Sequence, residues 1–515
     1  MRQGGPIIIG LDQGTTNTKA MALDSSGKVL ARAERTIASA SPQPGWVEQD
    51  AMAMFTNCVA CITEVIERAG ATAQDVAGLG IANQTETLVI WDPATSEPVM
   101  PAMVWQCRRG DAEIAPLRRP ETAAVVMART GLDLDPTFTA AKLAWVTRHQ
   151  AQIAAGLRSG ALLFGTVDCW LIWRLSGGRV YATEPGNASR TALFGLERGG
   201  WDAELISLFG LKIARLPETG LTARRYGETA LGLFGAEIPM TAAMGDQQAS
   251  LFGHGCFTPG DLKVTYGTGA FMWANAGSRL PPARADGLIR TIAWDLGAPA
   301  YALEGFVMSA GAALNWLARQ FGLAGGGAAV VETAREASPS QGVMLVPAFQ
   351  GLASPWWNAD IRAALWGMTE ATRVADICQA GLEAICYQVR AVLEGIAEAI
   401  GRPPALVRAD GGPIRAETLM QLQADCLQIP LHLAAQEALT PFGAALMAGI
   451  GAGVWRSLED LRPLVGAGRA VAPNPATQAR HEFRYHAWRR VVDATIAAST
   501  YNQEDAHDGT ANRPL

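Results

Sequence analysis

IIIGLDQGTTNTKAMALD, Ile7 to Asp24, is the stretch on which the reading of this chain turns. An apolar run enters Asp12, a Gln13-Gly14-Thr15-Thr16 turn follows, and a second apolar-tending run returns to Asp24. The pattern predicts a short buried strand, a tight turn and a returning strand. Gly14 lets the backbone approach a ligand closely, and turn amides and threonine hydroxyls can donate to phosphate oxygens. Asp12, at the strand end, is placed to face a metal ion or its waters. No G-x-x-x-x-G-K-[ST] string occurs, so this is a phosphate hairpin and not a P-loop. In isolation an ordinary hairpin with a polar turn reads the same way, and the remainder of the chain has to decide.

With 515 residues the chain is too long for one ordinary core and suggests two or more domains. Apolar residues at 49% and charged residues at 17% describe a globular protein with ample core material. A net charge of -6 without any Lys/Arg block gives no footprint for nucleic acid. No apolar run approaches the roughly 18 residues of a membrane span, so no membrane partner is expected. The start, MRQGGPIIIG, lacks the apolar core and cleavage site of a secretory signal, and a cytoplasmic location is expected. Eight cysteines in such a length form no disulfide framework. Cys58 and Cys61 make a C-x-x-C inside a predicted helix, Ala51 to Ala69, with no second pair, which favours packing over zinc. The six histidines form no ligand arrangement, so the expected metal is one that arrives with a nucleotide.

Lys28 to Ile37 reads as a third strand, and Asp50 to Arg68 as a helix with Asp50 as N-cap. Val76 to Ala82 and Thr87 to Trp91 read as strands, giving a mixed-sheet α/β domain. A similar set begins near Gly260, with strand Lys263 to Tyr266, turn Gly267-Thr268-Gly269 and return Ala270 to Ala274. Self-similarity at this spacing predicts two related domains facing each other. Further on come a helix from Ala375 to Ile400, a strand Ala405 to Ala409, and the turn Asp410-Gly411-Gly412. Helices from Glu417 and Thr440 follow, and Gly443 and Gly449 in the latter permit close packing. The tail after about Ser499, TYNQEDAHDGTANRPL, reads as frayed or disordered.

Four Gly-centred turns end apolar strands: Asp12 to Thr16, Gly245 to Gln248, Tyr266 to Gly269, and Asp410 to Gly412. Each sets amides, hydroxyls or a carboxylate at a strand end, where open α/β sheets bind ligands. Around them the chain resembles the FGGY carbohydrate kinases, and within that family the glycerol kinases most. The resemblance is carried by GLDQGTT, PGWVEQD, WQCRR (Trp105 to Arg109), FGTVDCWLIW (Phe164 to Trp173), NASRT (Asn187 to Thr191), GDQQASLFG, YGTGAFM, YALEG and LVPAF. These blocks run in order from about residue 7 to 490. Both signature regions are present, at Lys142 to Trp145 and at Leu365 to Met368 followed by Asp376 to Glu383.

The resemblance implies an α/β fold of two actin-like (ribonuclease H-like) domains with mixed sheets, and an ATP/substrate cleft between them. The domains would span residues 1–253, on the substrate side, and 254–498, on the nucleotide side, with 499–515 a flexible tail. It implies transfer of the γ-phosphoryl group of ATP to a hydroxyl of a small polyol or sugar. Asp246 would be the general base, needing no unusual pKa when within hydrogen-bond reach. Asp12 would help to hold Mg²⁺, which neutralises phosphate charge. Thr15, Thr16, Asn17 and Lys19 would line the phosphate loop, with Lys19 where glycerol kinases carry Arg. Thr268, Gly311, Asn315 and Gly412 would contact the nucleotide. Thr85, Glu86, Trp105, Thr137, Asp246 and Gln247 would border the acceptor. The family also makes a homo-oligomer, dimer or tetramer, an expected state.

Departures from the glycerol kinase pattern bear on the acceptor. Thr85 stands where an Arg precedes the acidic residue, and Thr137 where D-P-Y-F carries Tyr. Losing a buried hydrogen-bonding partner costs on the order of 1–3 kcal/mol per site. The freed space favours a tetritol, pentitol or related sugar, the alternative being a true glycerol kinase that makes glycerol 3-phosphate. Ala416 replaces an Asn near the adenosine. Where some bacterial glycerol kinases bind fructose 1,6-bisphosphate through a cationic segment, this chain has Gly232 to Glu237 without cations, and no inhibition by that sugar is expected. Of other classes, an actin-like ATPase would lack the GDQQ turn and the Trp105 wall, and a silent ATP sensor would not need Asp12 and Asp246 intact. The Trp356-Trp357 pair favours packing, and Arg108-Arg109 favours loop anchoring. Cleft closure is expected, with Gly253-His254-Gly255 as a hinge candidate.

Overall fold

The run of isoleucines at residue 7 forms the central strand of a six-stranded sheet. In the computed structural model, residues 5–284, 286–337, 342–466 and 468–508 are described, the side chains from 500 onward excepted. The first sheet comprises β1 (Ile7–Gln13), β2 (Asn17–Asp24), β3 (Val29–Thr36), β4 (Val76–Asn83), β5 (Ala223–Glu228) and β6 (Pro239–Gly245). Their order is β3-β2-β1-β4-β6-β5, with β1 antiparallel to β2 and parallel to β4. Period-two alternation divides β1 between two cores. Ile7, Ile9 and Leu11 enter the layer under helix α1 (Ala51–Arg68), and Ile8 enters the layer on the opposite face. Asp50 caps α1 by accepting from the amides of Met52 and Ala53, as its sequence position predicts. Cys58 and Cys61 lie on the buried face of this helix as free thiols, so their spacing reflects packing. Strand β6 leads straight into α2 (Asp246–Gly253).

The second sheet repeats the plan. It comprises β7 (Leu262–Tyr266), β8 (Ala270–Gly277), β9 (Ile289–Asp295), β10 (Pro299–Val307), β11 (Val407–Gly411), β12 (Leu431–Leu433) and β13 (Arg469–Val471). The order is β9-β10-β8-β7-β11-β12-β13, with β7 antiparallel to β8 and parallel to β11. A hairpin followed by a parallel neighbour therefore builds the centre of both sheets, which makes the weak sequence repeat a real structural one. Helices α3 (Gly311–Gln320), α4 (Val374–Ile400), α5 (Glu417–Leu427), α6 (Leu439–Gly451) and α7 (Gln478–Asp508) complete the chain. The tail predicted to fray after Ser499 falls partly on α7, which continues through Asp508, and partly on 509–515, outside the described residues.

Helix α6 belongs to the C-terminal half of the chain but packs on β1, β4 and β6 of the first sheet and on α2. The contact is backbone against backbone. A Cβ on Gly10 would stand 1.8 Å from the carbonyl oxygen of Pro441, one on Gly80 2.1 Å from that of Ala444, and one on Gly443 1.9 Å from that of Ala249. The apolar residues of α6 thus share a core with Ile8, Met21, Met244 and Phe252 of the first half of the chain. None of the helices among the described residues is long and apolar enough to cross a membrane.

Candidate active site

The first hairpin places Asp12 directly across from Lys19, and the Gly14 amide closes the turn by donating to the Asn17 carbonyl at 3.0 Å. Asp12 Oδ1 and Asn17 Oδ1 are both shut off from solvent without a hydrogen-bond partner. Burial pushes the Asp12 carboxyl up to about 8, the charge of Asp246 adding to this and Lys19 partly opposing it. Two orphaned oxygens and a carboxylate that resists ionisation suit a divalent cation. Among the described residues no cluster of three or more His, Cys, Asp or Glu could hold a metal. One carboxylate beside the Asn17 amide oxygen would suit an ion that keeps waters and takes its other oxygens from phosphates, as Mg²⁺ does. Thr16 is exposed, and Lys19 is half-buried 3.7 Å from Glu34.

The Thr15 hydroxyl and carbonyl tie the hairpin to its neighbours. The hydroxyl accepts from Trp105 Nε1 at 2.9 Å and lies 3.3 Å from Gln84 Oε1, while the carbonyl accepts from Gln49 Nε2 at 2.6 Å. The hairpin and the Trp105 wall are thereby one unit. Next to them Glu86 adopts φ 62°, a left-handed conformation unusual for a non-glycine residue. Both of its carboxylate oxygens are held: Arg190 Nε donates to Oε1 at 2.5 Å, and Thr85 Oγ1 donates to Oε2 at 2.6 Å. The same guanidinium lies 2.7 Å from Glu304 Oε2, so one buried cation bridges two buried carboxylates. Thr139 Oγ1 donates to the Glu86 carbonyl at 3.1 Å. Thr137 is fixed through its backbone, the amide donating to Asp135 Oδ1 at 2.9 Å and the carbonyl accepting from buried Lys142.

Asp246 opens α2, where a carboxylate in the first turn meets the helix amides; its Oδ1 accepts from the Gln247 amide at 2.7 Å. A base within hydrogen-bond reach needs no unusual pKa, but the surroundings of this one shift it. Burial, followed by the nearby charge of Glu86, pushes the carboxyl up to about 7, while the Gln247 amide and Lys263 pull it down. Lys263 is fully buried in β7 and donates to Gln247 Oε1 at 2.6 Å and to Thr265 Oγ1 at 2.8 Å. It also faces Asp410, whose carboxyl is held down at about 2: burial works against this, and His254 and Lys263 overcome it. His254 Nε2 lies 3.4 Å from Asp410 Oδ2.

On the second sheet the turn after β7 is tied to the start of α3. The Thr268 carbonyl accepts from the amides of Ala310 and Ala312, each at 3.0 Å, and the Gly311 amide donates to Gly267 at 3.0 Å. A Cβ on Gly311 would come within 2.6 Å of the Gly267 carbonyl. Asn315 Oδ1 accepts from the Gly327 amide at 3.0 Å. Gly411 has φ 96° and would drive a Cβ to 1.9 Å from the Tyr266 carbonyl, whereas Gly412 has nothing within 4 Å and offers an open face. Ala416 precedes α5 and provides no side-chain cap.

Hydrogen bonds and charge thus join Asp12, Thr15, Thr85, Glu86, Trp105, Asp246 and Gln247 into one acidic centre. Thr268 and Gly311 form a second, separate unit, and Asn315 bonds only within its own neighbourhood. Sequence reasoning assigned no role at the site to Arg190, Glu304 or Lys263, and offered His254 only as part of a hinge. A usable signal existed, because Lys263 and Glu304 are charges set in the apolar strands LKVTY and YALEGFV. Arg109 stacks 3.7 Å over Trp46 and pairs with Glu48 at 2.6 Å, and Arg108 pairs with Asp135, so both anchor loops. Trp356 packs against Trp488 and Trp357 against Phe306, as packing predicted.

The description "FGGY family of carbohydrate kinases, N-terminal domain" matches residues 7–253, and the corresponding C-terminal domain matches residues 262–452. The chain is 41% identical over 487 residues to a glycerol kinase of Aromatoleum aromaticum, covering 94% of this chain and 98% of that protein. It is likewise 41% identical over 487 residues to a glycerol kinase of Trichlorobacter lovleyi, with the same coverage, 94% and 98%. Among solved structures it is similar to Plasmodium falciparum glycerol kinase with ADP, at TM-score 0.89 and 27% identity over 96% of this chain and 98% of that one. A xylulose kinase from Rhodospirillum rubrum is similar at TM-score 0.86 and 25% identity, over 96% and 100%.

Proposed function

The chain belongs to the FGGY family of carbohydrate kinases, and from that premise we propose that it phosphorylates glycerol or a closely related polyol at the Glu86–Asp246 centre. It is an ATP-dependent kinase acting on an alcohol group. The observation that carries the acceptor reading is the doubly held carboxylate of Glu86 beside Asp246. With Arg190 on one oxygen and Thr85 on the other, Glu86 is a fixed acceptor for the hydroxyls of a small polyol. Lys263 on Gln247 Oε1 leaves the Gln247 amide nitrogen as a donor to the same substrate. Asp246 accepts the proton of the attacking hydroxyl; a carboxyl titrating at about 7 is matched to that task near neutral pH. Asp12 and Asn17 would hold Mg²⁺, which would neutralise phosphate charge when bound. Thr268, Gly311, Asn315 and Gly412 form the nucleotide side, and Thr16, Asn17 and Lys19 the phosphate side.

Relatives named glycerol kinase support glycerol better than the longer acceptor suggested by Thr85 and Thr137. A second reading, a tetritol or pentitol, is favoured by one observation. The Thr85 hydroxyl is spent on Glu86, and Arg190 is committed to Glu86 and Glu304. Coupled ADP release over polyols and ketoses of three to six carbons separates the two. A kcat/KM highest on glycerol supports the first reading, and one higher on a four- or five-carbon polyol replaces it with the second. ADP release indifferent to every polyol would overturn both.

A further inference from the structure

Helix α2 has two ends, and only one faces the acidic centre. Asp246 lies in its first turn, while Gly253 and His254 at its far end line a cavity of about 470 Å³. The walls come from both sheets and from the start of α6: Arg32 lies on β3, Arg408 on β11 and His432 on β12, and Leu439 opens α6. None of the residues assigned above to acceptor, phosphate or nucleotide lines it. The volume falls in the range of small-ligand sites.

The lining is one-sided in charge. It holds Arg32, Arg408, Arg462, His254 and His432, and no carboxylate, in a chain whose net charge is -6. Two of the arginines have acidic partners outside the lining, Asp261 at 3.2 Å from Arg408 and Glu459 at 2.9 Å from Arg462. Arg32 has no ion-pair partner among the described residues and donates only to Gln436 Oε1. Arg408 Nη1 and His254 Nε2 are buried nitrogens without a hydrogen bond, their nearest carboxylates being poorly aligned. An anion in the cavity would give these two nitrogens a better-aligned acceptor than Asp261 and Asp410 do. The N-terminus of α6 adds amides without a side-chain cap, a further favourable feature for negative charge.

We propose that this cavity binds a small phosphate-bearing anion, at a site separate from the cleft and independent of which acceptor the cleft takes. Guanidinium groups match the oxygens of phosphate in bidentate geometry, and three converge here from separate parts of the chain. Because the walls belong to both sheets, an occupant ties the two domains together behind α2. The site is unrelated to the Gly232 to Glu237 segment, which is not part of the cavity.

Calorimetric titration of pyrophosphate into the full-length protein, with the cleft saturated by ADP and divalent metal removed, tests this. One pyrophosphate is expected to bind per chain, and Arg32→Gln with Arg462→Gln to weaken it at least tenfold while ADP affinity, which also reports folding, stays unchanged. Arg32→Gln alone, with the same readouts, serves if the double variant does not fold. No pyrophosphate uptake by the ADP-saturated wild type, or uptake that the variants leave unaltered, overturns the proposal. Citrate binding as tightly as pyrophosphate overturns the assignment to phosphate.

Discussion

Lys263 Nζ donates to the side-chain carbonyl of Gln247 at 2.6 Å, reaching from the second sheet into the first turn of α2. A charge in the middle of an apolar strand is thereby the link between the two halves of the acidic centre. Hydrogen bonds to charged groups contribute about 1.5–3 kcal/mol, so Lys263→Met is expected to lower kcat/KM by roughly 10- to 150-fold. Lys263 also lowers the pKa of Asp246. The acid limb of the variant's pH–rate profile should therefore move to higher pH. An unchanged acid limb would show that Lys263 is only structural.

Asp246 must be ionised to accept a proton, and its carboxyl titrates at about 7. The rate is expected to rise with pH through about 7 and then level. Asp246→Asn should lose on the order of 10²- to 10⁴-fold in kcat and keep ADP binding near that of wild type. Substantial residual turnover in this variant would remove Asp246 from the role of base.

Stability should carry the opposite pH trend. Asp12 at about 8 and Asp246 at about 7 both hold protons in the folded protein that the unfolded chain has already released near pH 4. Their contribution is complete below about pH 4 and is lost as pH rises through 7 to 8. The ligand-free protein should therefore have a lower Tm at pH 8 than at pH 6. Mg²⁺ with ADP should raise Tm more at pH 8, where the ion finds Asp12 ionised. Scanning calorimetry at the two pH values, with and without Mg·ADP, checks the trend.

Arg190 offers a sharper stability test. It is the only cation bridging Glu86 and Glu304 among the described residues, and both carboxylates are buried. Arg190→Met removes the cation paired with both buried acids and leaves them only the more distant charges of Lys142 and Lys263, a loss expected to cost about 3–5 kcal/mol. Urea unfolding should show it. A change below about 1 kcal/mol would mean the carboxylates are protonated or solvated instead.

Local chemistry carried much of this in the sequence alone. The hairpin at Asp12, the Asp50 cap and the close packing at Gly443 each follow from spacing within a few residues. Lys263, Glu304 and Arg190 did not, because a buried charge has meaning only against a partner that the fold supplies, here one 104 residues away in the case of Glu86 and Arg190. The raised pKa of Asp246 was hidden for the same reason, since burial and the charge of Glu86 are both products of tertiary structure. The position of α6 was also out of reach: its glycines announced a close neighbour without saying which sheet it was.

That helix has a consequence during synthesis. The face of the first sheet that carries Ile8, Met21 and Met244 is closed by residues 439–451. The stretch from Gly253 to Gly451 takes about 10–40 s to emerge at roughly 5–20 residues per second. Throughout that interval the nascent first domain has an apolar face without its cover. A chain truncated before residue 439 would keep that sheet face uncovered, and the same exposed layer is where a holding chaperone would be expected to bind.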